Sequence, residues 1–394
     1  MTALDNASDP AGADSLAVQA RSAIQNRDAS TALRLLARIP PEAMTADSFM
    51  DRAMALRMTG DSAAALRAVE GALARDPYHF LALLSKAALV ERLEGWKAAA
   101  PVYKNALALA PAEADLPESL RAPTRRAREI VERFAAGLYA HLQESVRELR
   151  SRHAEEPLAR FDESLEIFSG RAKPYPHEPA LLHYPRLPAI PFFDRSLFPW
   201  LERLEAATPV IQEELAGALT THADKFAPYI DYPPGVPVNQ WGELNHSPLW
   251  QTFFLWKDGT KQEEACRQCP RTAALLESLP MTDQPGFAPT AVFSALEAHT
   301  HIPPHSGSAN TRLLVHLPLI LPGPARFRVG AETRPWRMGE AWVFDDSINH
   351  EAWNDADQLR VILIFDVWNP LLSAAERALI TTMMAAKNTF QTTL

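Results

Sequence analysis

Five of the twelve histidines in this 394-residue chain fall in its last third, and their spacing could do chemistry. His299, His301, His305 and His316 cluster around the turn-rich segment His301-Ile302-Pro303-Pro304-His305-Ser306-Gly307-Ser308-Ala309-Asn310, and His350 lies 45 residues beyond His305, ahead of the final strong strand. A lone histidine is more often an ordinary surface or core residue, but two on different strand ends of a small β-sandwich can meet at its open mouth. Imidazole nitrogen is a good ligand for Fe(II). A non-haem iron site would take its carboxylate from His-x-Asp or His-x-Glu, whereas His305-Ser306-Gly307 has glycine there. The third position would then fall to water or a cosubstrate. Arg360, ten residues after His350, opens the apolar run Val361-Ile362-Leu363-Ile364-Phe365. If it points inward it needs an anion, because an unpaired buried charge is costly, and a carboxylate-bearing cosubstrate would supply one through a bidentate pair. The alternative is an outward-facing strand arginine.

The elements that must position these groups differ between the two halves of the chain. From residue 15 to residue 112 apolar residues recur at three- and four-residue spacing, an amphipathic helical pattern. Asp76-Pro77 and Ala110-Pro111 close two helical pairs whose prolines stand 34 residues apart, the tetratricopeptide period. Within that frame Ala65 and Ala99, Val69 and Tyr103, and Ala72 and Ala106 fall at equivalent places, and residues 27–34 repeat the following run at an offset of 33. The segment resembles a short tetratricopeptide array; a generic α-hairpin bundle is the alternative. Residues 1–14 read as a disordered tail and 113–170 as a helical linker whose arginines, Arg125, Arg126, Arg128 and Arg133, form a solvated face with Glu129 and Glu132.

Twelve prolines between Pro174 and Pro237 then mark a change of character. Across 171–394 the expected elements are helices at 210–219 and 271–279 and strands at 291–296, 312–321, 325–329, 340–344 and 359–365. That pattern suggests an antiparallel sandwich or barrel.

The formal charge of −9 makes an electrostatic nucleic-acid binder a poor fit. Cys266 and Cys269 cannot build a disulfide framework or a four-ligand zinc site, and an ordinary structural role is expected of them. With no secretory signal and no apolar run long enough to span a membrane, the expected location is cytoplasmic. Trp241, Trp250 and Trp256 read as core or rim.

The stretch from about His183 to Pro370 resembles the aspartyl/asparaginyl β-hydroxylase family of Fe(II)- and 2-oxoglutarate-dependent oxygenases. The resemblance is carried by His305-Ser306-Gly307, Asn310, Arg312 and His316-Leu317, by Phe344-Asp345-Asp346-Ser347 with His350-Glu351, and by the arginine-led strand from Arg360 to Asp366-Val367-Trp368. It also accounts for the glycine at 307, since family members bind iron through two histidines. Animal members carry tetratricopeptide-like repeats ahead of the oxygenase domain, the same order as here.

The resemblance implies an α+β multidomain chain, tetratricopeptide-like repeats followed by a double-stranded β-helix (jelly-roll) oxygenase domain. It implies that His305 and His350 hold iron, and that Arg360, assisted by Ser294, pairs with the distal carboxylate of 2-oxoglutarate. His316 would lie near the cosubstrate's 1-carboxylate, Arg312 would meet the cosubstrate or the substrate's carboxyl group, and Asp346 would orient the site. With O2 as co-reactant, the expected reaction is hydroxylation of an unactivated C–H bond. One departure is Leu314, where the family has a second arginine, which weakens the case for an acidic side chain as substrate.

The first expected substrate is the β-carbon of an aspartyl or asparaginyl residue in a peptide or protein docked by the repeats, which offer concave surfaces. Alternatives are a lipid A acyl chain, a peptide natural product and, in a different class, a non-catalytic adapter. Residues 1–112 carry 12 basic and 12 acidic side chains, so the acidity belongs mainly to the oxygenase half, a mild argument for a neutral or basic peptide.

Overall fold

Asp28 and Asp61, 33 residues apart, occupy equivalent places in successive turns. Each follows a residue in the left-handed region, Arg27 (φ 59°) and Gly60 (φ 84°). Each accepts a hydrogen bond from the backbone N–H three residues on, Thr31 and Ala64, at 3.0 and 2.8 Å. Such a cap is worth about 1 kcal/mol, and here it starts the second helix of two successive pairs. In a computed structural model, which describes residues 10–392, the pairs are α1 (Pro10–Gln25) with α2 (Ala29–Leu36), α3 (Ala46–Met58) with α4 (Ser62–Arg75), and α5 (Phe80–Glu94) with α6 (Trp96–Ala108).

The small, large, small positions are all buried: Ala65, Val69 and Ala72 on α4, and Ala99, Tyr103 and Ala106 on α6. Close approach needs them. A Cβ on Gly71 of α4 would lie 2.5 Å from the Phe49 ring of α3.

Two expectations are corrected here. Residues 10–14 of the supposed tail are already helical in α1, where Ala13 is buried; residues 1–9 lie outside the described residues. The segment 113–170 forms α7 (Glu118–Arg152) and α8 (Ala159–Ser169), and Ala127 and Ile130 of α7 share a core with Leu84, Ala87 and Tyr103. It belongs to the helical unit, because its apolar stripe is covered by α5 and α6. Its charged face is exposed as expected, with Arg126 on Glu91 at 2.6 Å and Arg128 on Glu113 at 3.0 Å.

The chain divides between Ala172 and Lys173 into two compact units. The second carries β1 (Ala227–Pro228), β2 (Trp250–Lys257), β3 (Thr260–Lys261), β4 (Ala291–Leu296), β5 (Thr300–His305), β6 (Arg312–Ile320), β7 (Ala325–Val329), β8 (Glu332–Pro335), β9 (Trp342–Phe344), β10 (His350–Asn354) and β11 (Arg360–Trp368). A large sheet runs β1-β2-β4-β11-β6-β9, with β3 on β2, and a small sheet runs β5-β10-β7-β8. All pairings within them are antiparallel. Two facing sheets of this kind make a jelly-roll.

Period-two alternation sorts the large sheet's side chains between two environments. Phe293 and Ala295, Leu313, Val315 and Leu317, and Val361, Leu363 and Phe365 point into a core shared with α9 (Leu201–Ala206), α10 (Thr208–Thr221), α11 (Glu263–Gln268) and α12 (Pro270–Glu277). Their neighbours Ser294, Arg312, Leu314, His316, Arg360, Ile362 and Asp366 turn the other way, into a cavity on the opposite side of the sheet. Both faces are covered, which is why β6 and β11 read as near-continuous apolar runs.

Cys266 and Cys269 are buried thiols of the helix-side core, as expected of a structural pair. The Cys266 thiol donates to the Leu255 carbonyl at 3.3 Å, and burial pushes Cys269 up to about 12. The last helix, α13 (Ala374–Thr392), packs through Ile380 and Met384 against Leu182, Tyr184 and Trp368. Among the described residues, no helix is long and apolar enough to cross a membrane.

The strands expected at 291–296 and 325–329 are β4 and β7. Missed were β2, β5, β8 and β10, together with the two-residue strands β1 and β3. Pro303 and Pro304 made β5 look like a turn, yet it is the edge strand of the small sheet, where a missing N–H is tolerated.

Candidate active site

β5 ends on a histidine and β10 begins on one, and the two strands are hydrogen-bonded neighbours in which His305 stands opposite His350. Their ring centroids are 4.0 Å apart. Each ring is oriented in the same way, Nδ1 lying 2.7 Å from the Pro303 carbonyl for His305 and 2.9 Å from the Ile348 carbonyl for His350. A carbonyl only accepts, so Nδ1 carries the proton and the lone pair is left on Nε2 of both rings. Burial holds His305 down to about 4, and burial together with neighbouring His305 holds His350 well below the ordinary imidazole value. Both are therefore neutral at physiological pH, the form that binds metals.

Asp346 fills the space that a side chain at 307 would need. The Gly307 N–H donates to the Asp346 carbonyl at 2.6 Å, and a Cβ at 307 would lie 1.9 Å from Asp346 Oδ2. Arg312 pairs with the Asp366 carboxylate and lies 3.4 Å from Asp346 Oδ2. Burial nevertheless pushes Asp346 up to about 7 against the pull of Arg312, and its Oδ1 has no hydrogen-bond partner. This carboxyl group can hold or release a proton near neutrality.

Arg360 has the opposite circumstance. Its side chain is only 1% exposed, and Nε, Nη1 and Nη2 all lack a hydrogen-bond partner. Its guanidinium carbon lies 4.6 Å from the Trp336 ring centroid, and burial alone lowers its pKa to about 9. It remains a cation at neutral pH. On the adjacent strand, Ser294 Oγ accepts from Trp250 Nε1 at 2.9 Å. His316 packs against Phe327 and Phe344 with Nδ1 unpartnered, and burial, then the charge of Arg360, keeps it neutral. All six expected site residues, Ser294, His305, Arg312, His316, His350 and Arg360, line one cavity of about 330 Å³, within the size range of small-molecule sites.

A family model described as aspartyl/asparaginyl beta-hydroxylase matches residues 205–370. The chain is 35% identical over 197 residues to the ornithine lipid ester-linked acyl 2-hydroxylase of Rhizobium tropici, covering 49% of this chain and 66% of that protein. It is 33% identical over 181 residues to the human aspartyl/asparaginyl beta-hydroxylase, 45% of this chain and 24% of the other. Against the mouse aspartate beta-hydroxylase domain-containing protein 2 it is 30% identical over 248 residues, 61% of this chain and 69% of the relative. The chain belongs to the aspartyl/asparaginyl β-hydroxylase family.

The matched stretch spans just under two thirds of the rhizobial relative and about a quarter of the human one. The two Nε2 lone pairs, the glycine at 307 and the orphaned Arg360 fit a two-histidine iron site with a dicarboxylate cosubstrate. Among the described residues no three His, Cys, Asp or Glu side chains form a complete metal-binding set. Any metal here would draw two ligands from the protein.

Arg312 lines the cavity but already has partners. Two carboxylates already engage its guanidinium, and although burial opposes its charge, Asp366 and Asp346 hold it well above its ordinary value. Arg312 keeps only Nε without a partner, whereas all three nitrogens of Arg360 lack one. Trp241 and Trp250, read as core or rim, line the cavity, Trp241 with its ring 4.9 Å from that of His305. Trp256 is a core residue as expected. Trp336 was not singled out from the sequence, and Asp366 was named only as part of the strand motif that closes in Asp366-Val367-Trp368, with no role at the site. The place of Asp366 on the cavity face could have been read from its spacing, since it lies six residues after Arg360 on β11; Trp336 carried no signal.

Several motif residues hold loops rather than touch the cavity. Asn310 accepts from the Tyr184 N–H at 2.7 Å and donates to the Tyr184 carbonyl at 2.9 Å. Asp345 accepts from the Ser347 hydroxyl at 2.6 Å and stands 3.0 Å from His177. They secure the ends of the segments that carry His305 and His350.

Proposed function

We propose that this protein is a 2-oxoglutarate-dependent hydroxylase whose iron is held by His305 and His350. The single observation that carries the reading is the pairing, in one cavity, of two Nε2 lone pairs with a buried cation that has no partner. When bound, iron and 2-oxoglutarate supply the oxidant, O2 being consumed with decarboxylation to succinate and CO2 as one C–H bond becomes C–OH.

The chain's own contribution is placement. The Pro303 and Ile348 carbonyls fix the two imidazoles, Arg360 supplies the counter-charge for the distal carboxylate, and Ser294 and His316 border the cosubstrate. Asp346, packed against Gly307 and beside Arg312, orients the segment that follows His305. The apolar walls, Leu314, Phe327, Trp336 and Ile362 among them, keep bulk water out.

The substrate carbon belongs to an uncharged group, an asparaginyl side chain before an aspartyl one, in a peptide or protein. With Arg312 engaged and Arg360 assigned to the cosubstrate, the cavity has no further arginine or lysine for an acidic side chain, and Leu314 adds none. A second reading is favoured by the similarity to the ornithine lipid acyl hydroxylase and by the apolar lining: hydroxylation of a lipid acyl chain.

Anaerobic addition of Fe(II) and 2-oxoglutarate should give a visible charge-transfer absorbance in the parent and none in His350→Ala. Absence of both this band and succinate formation in the parent would overturn the enzyme reading. Mass spectrometry of cell-lysate peptides and of extracted lipids, incubated with and without 2-oxoglutarate, separates the two substrates by which pool gains one oxygen.

A further inference from the structure

Tyr229 and Tyr232, 42% and 37% exposed, are the lining residues of the cavity most open to solvent, so they mark its mouth. The reaction proposed above gives them no part. Tyr232 and Trp241 are carried by a loop, residues 230–246, whose ends are tied together. Ile230 bridges Asn245, the His246 N–H donates to the Ile230 carbonyl at 2.9 Å, and the Asn245 side chain accepts from the Tyr232 N–H at 2.8 Å. The His246 ring closes the neck, one nitrogen 2.7 Å from the Asp231 carboxylate and the other 2.8 Å from the Tyr232 carbonyl. A compact loop with joined ends presents its side chains in fixed places. Behind the mouth Trp250 backs the Tyr229 ring at 4.3 Å and stands 6.1 Å from the Trp241 ring.

The charges around these rings are acidic in balance. From Tyr229 to Trp250 the chain carries Asp231 and Glu243 and no lysine or arginine. Inside the cavity, apart from the Arg360 that the hydroxylase reading gives to the cosubstrate, one guanidinium, Arg312, stands against two carboxylates, Asp346 and Asp366. Asp346 is 3% exposed and its Oδ1 has no hydrogen-bond partner. Arg312, Asp366 and Asp346 all act electrostatically on the Tyr229 phenol, which places the aromatic mouth beside the acid-rich end of the cavity. Ring faces attract cations, and like charges brought together across an interface are costly, so this end repels an anion.

We propose that the aromatic mouth formed by Tyr229, Tyr232 and Trp241 takes the cation of a lysyl or arginyl side chain that flanks the hydroxylated residue, so that the substrate is a basic peptide. The basic side chain lies on the ring faces, with its charge towards the carboxylates. The inference rests on the hydroxylase reading and narrows its substrate to an uncharged target residue with a basic neighbour.

The test is fluorescence anisotropy with the full chain, without oxygen, in the presence and absence of Fe(II) and 2-oxoglutarate. The probes are fluorescein-labelled peptides of one sequence with a central Asn, whose neighbour is Lys, trimethyl-lysine, Met or Glu. The Lys peptide should bind about tenfold tighter than the Met peptide, the Glu peptide should bind worst, and the Lys advantage should shrink as salt rises. Trimethyl-lysine keeps the charge without an N–H and should bind nearly as well as Lys. The variant Tyr229→Leu/Tyr232→Leu should lose the distinction between Lys and Met, whereas Tyr229→Phe/Tyr232→Phe, which keeps the ring faces, should retain it at an unchanged melting temperature. Equal binding of the Lys and Met peptides in the parent, a comparison that needs no variant, would refute the proposal. So would a Lys preference that survives the leucine variant or disappears with trimethyl-lysine, because the carboxylates alone would then be the binding groups. Retention of the protein on vesicles containing a cationic lipid, with no peptide bound, would give the mouth to a lipid headgroup and refute it as well. The charge-transfer absorbance of the same preparation keeps the two readings apart. A parent that shows the band but no Lys preference loses this inference alone, and one that shows neither band nor succinate loses the hydroxylase reading whichever peptide it binds.

Discussion

Replacing Arg360 by methionine should stabilise the ligand-free protein while removing its response to 2-oxoglutarate. The guanidinium is buried without a hydrogen-bond partner, and its pKa falls to about 9. That drop from the ordinary arginine value corresponds to a penalty on the order of 5 kcal/mol on the charged form. The folded state holds this proton less tightly than the unfolded chain does. The penalty is therefore complete below about pH 9 and is relieved only as pH rises above that value.

Methionine has similar reach and no charge. Exchange of an uncompensated buried charge for an apolar side chain yields about 1–4 kcal/mol, less about 1 kcal/mol for the lost contact with Trp336. Each kcal/mol is worth about 2–4 °C in a unit of this size. Calorimetry of the metal-free protein should show the second unit of Arg360→Met melting several degrees above the parent. Saturating 2-oxoglutarate, or glutarate, which keeps the distal carboxylate, should raise the parent by about 2–3 kcal/mol at a hundredfold excess over Kd and leave the variant unmoved. A ligand-free variant less stable than the parent, or one that keeps the parent's response to 2-oxoglutarate, would refute the idea that Arg360 awaits an anion.

Other outcomes follow from the same geometry. His305 is lowered to about 4 by burial, and burial also holds His350 and His316 well below their ordinary value, so the folded state resists protons that the unfolded chain takes up near pH 6.5. Stability should hold above pH 7 and decline as pH falls through 6.5 towards 4, with Asp346 and Asp366, both raised by burial, working in the opposite direction. Urea unfolding at stepped pH should show His305→Asn losing less stability than the parent across this window. Gly307→Ala drives a methyl group into Asp346 and should cost about 1–3 kcal/mol, read as a lower melting temperature together with weaker Fe(II) binding. Arg312→Ala leaves Asp366 and Asp346 without their cation and should cost about 3–5 kcal/mol even without ligand; adding Asp366→Asn should recover part of that loss. A loss confined to the 2-oxoglutarate-bound state would instead make Arg312 a cosubstrate ligand.

Local physics decided much of this protein in advance of its fold. The 33-residue return of an aspartate cap after a left-handed residue, and the alternating small and large positions on α4 and α6, require paired helices at close approach wherever they are placed. The alternation in β6 and β11 likewise commits Arg312, Leu314 and His316, or Arg360, Ile362 and Asp366, to one face together, because successive strand side chains point to opposite sides. What alternation cannot state is which face meets which neighbour. Only the assembled sheets bring Asp346 into the volume above Gly307, engage Arg312 with two carboxylates while leaving Arg360 with none, and set Trp241 beside His305. Those relations join residues distant in the chain through backbone register and burial. A residue's type and spacing can show that it is able to bind an anion or a metal, but whether it is free to do so depends on what the tertiary structure has already paired with it.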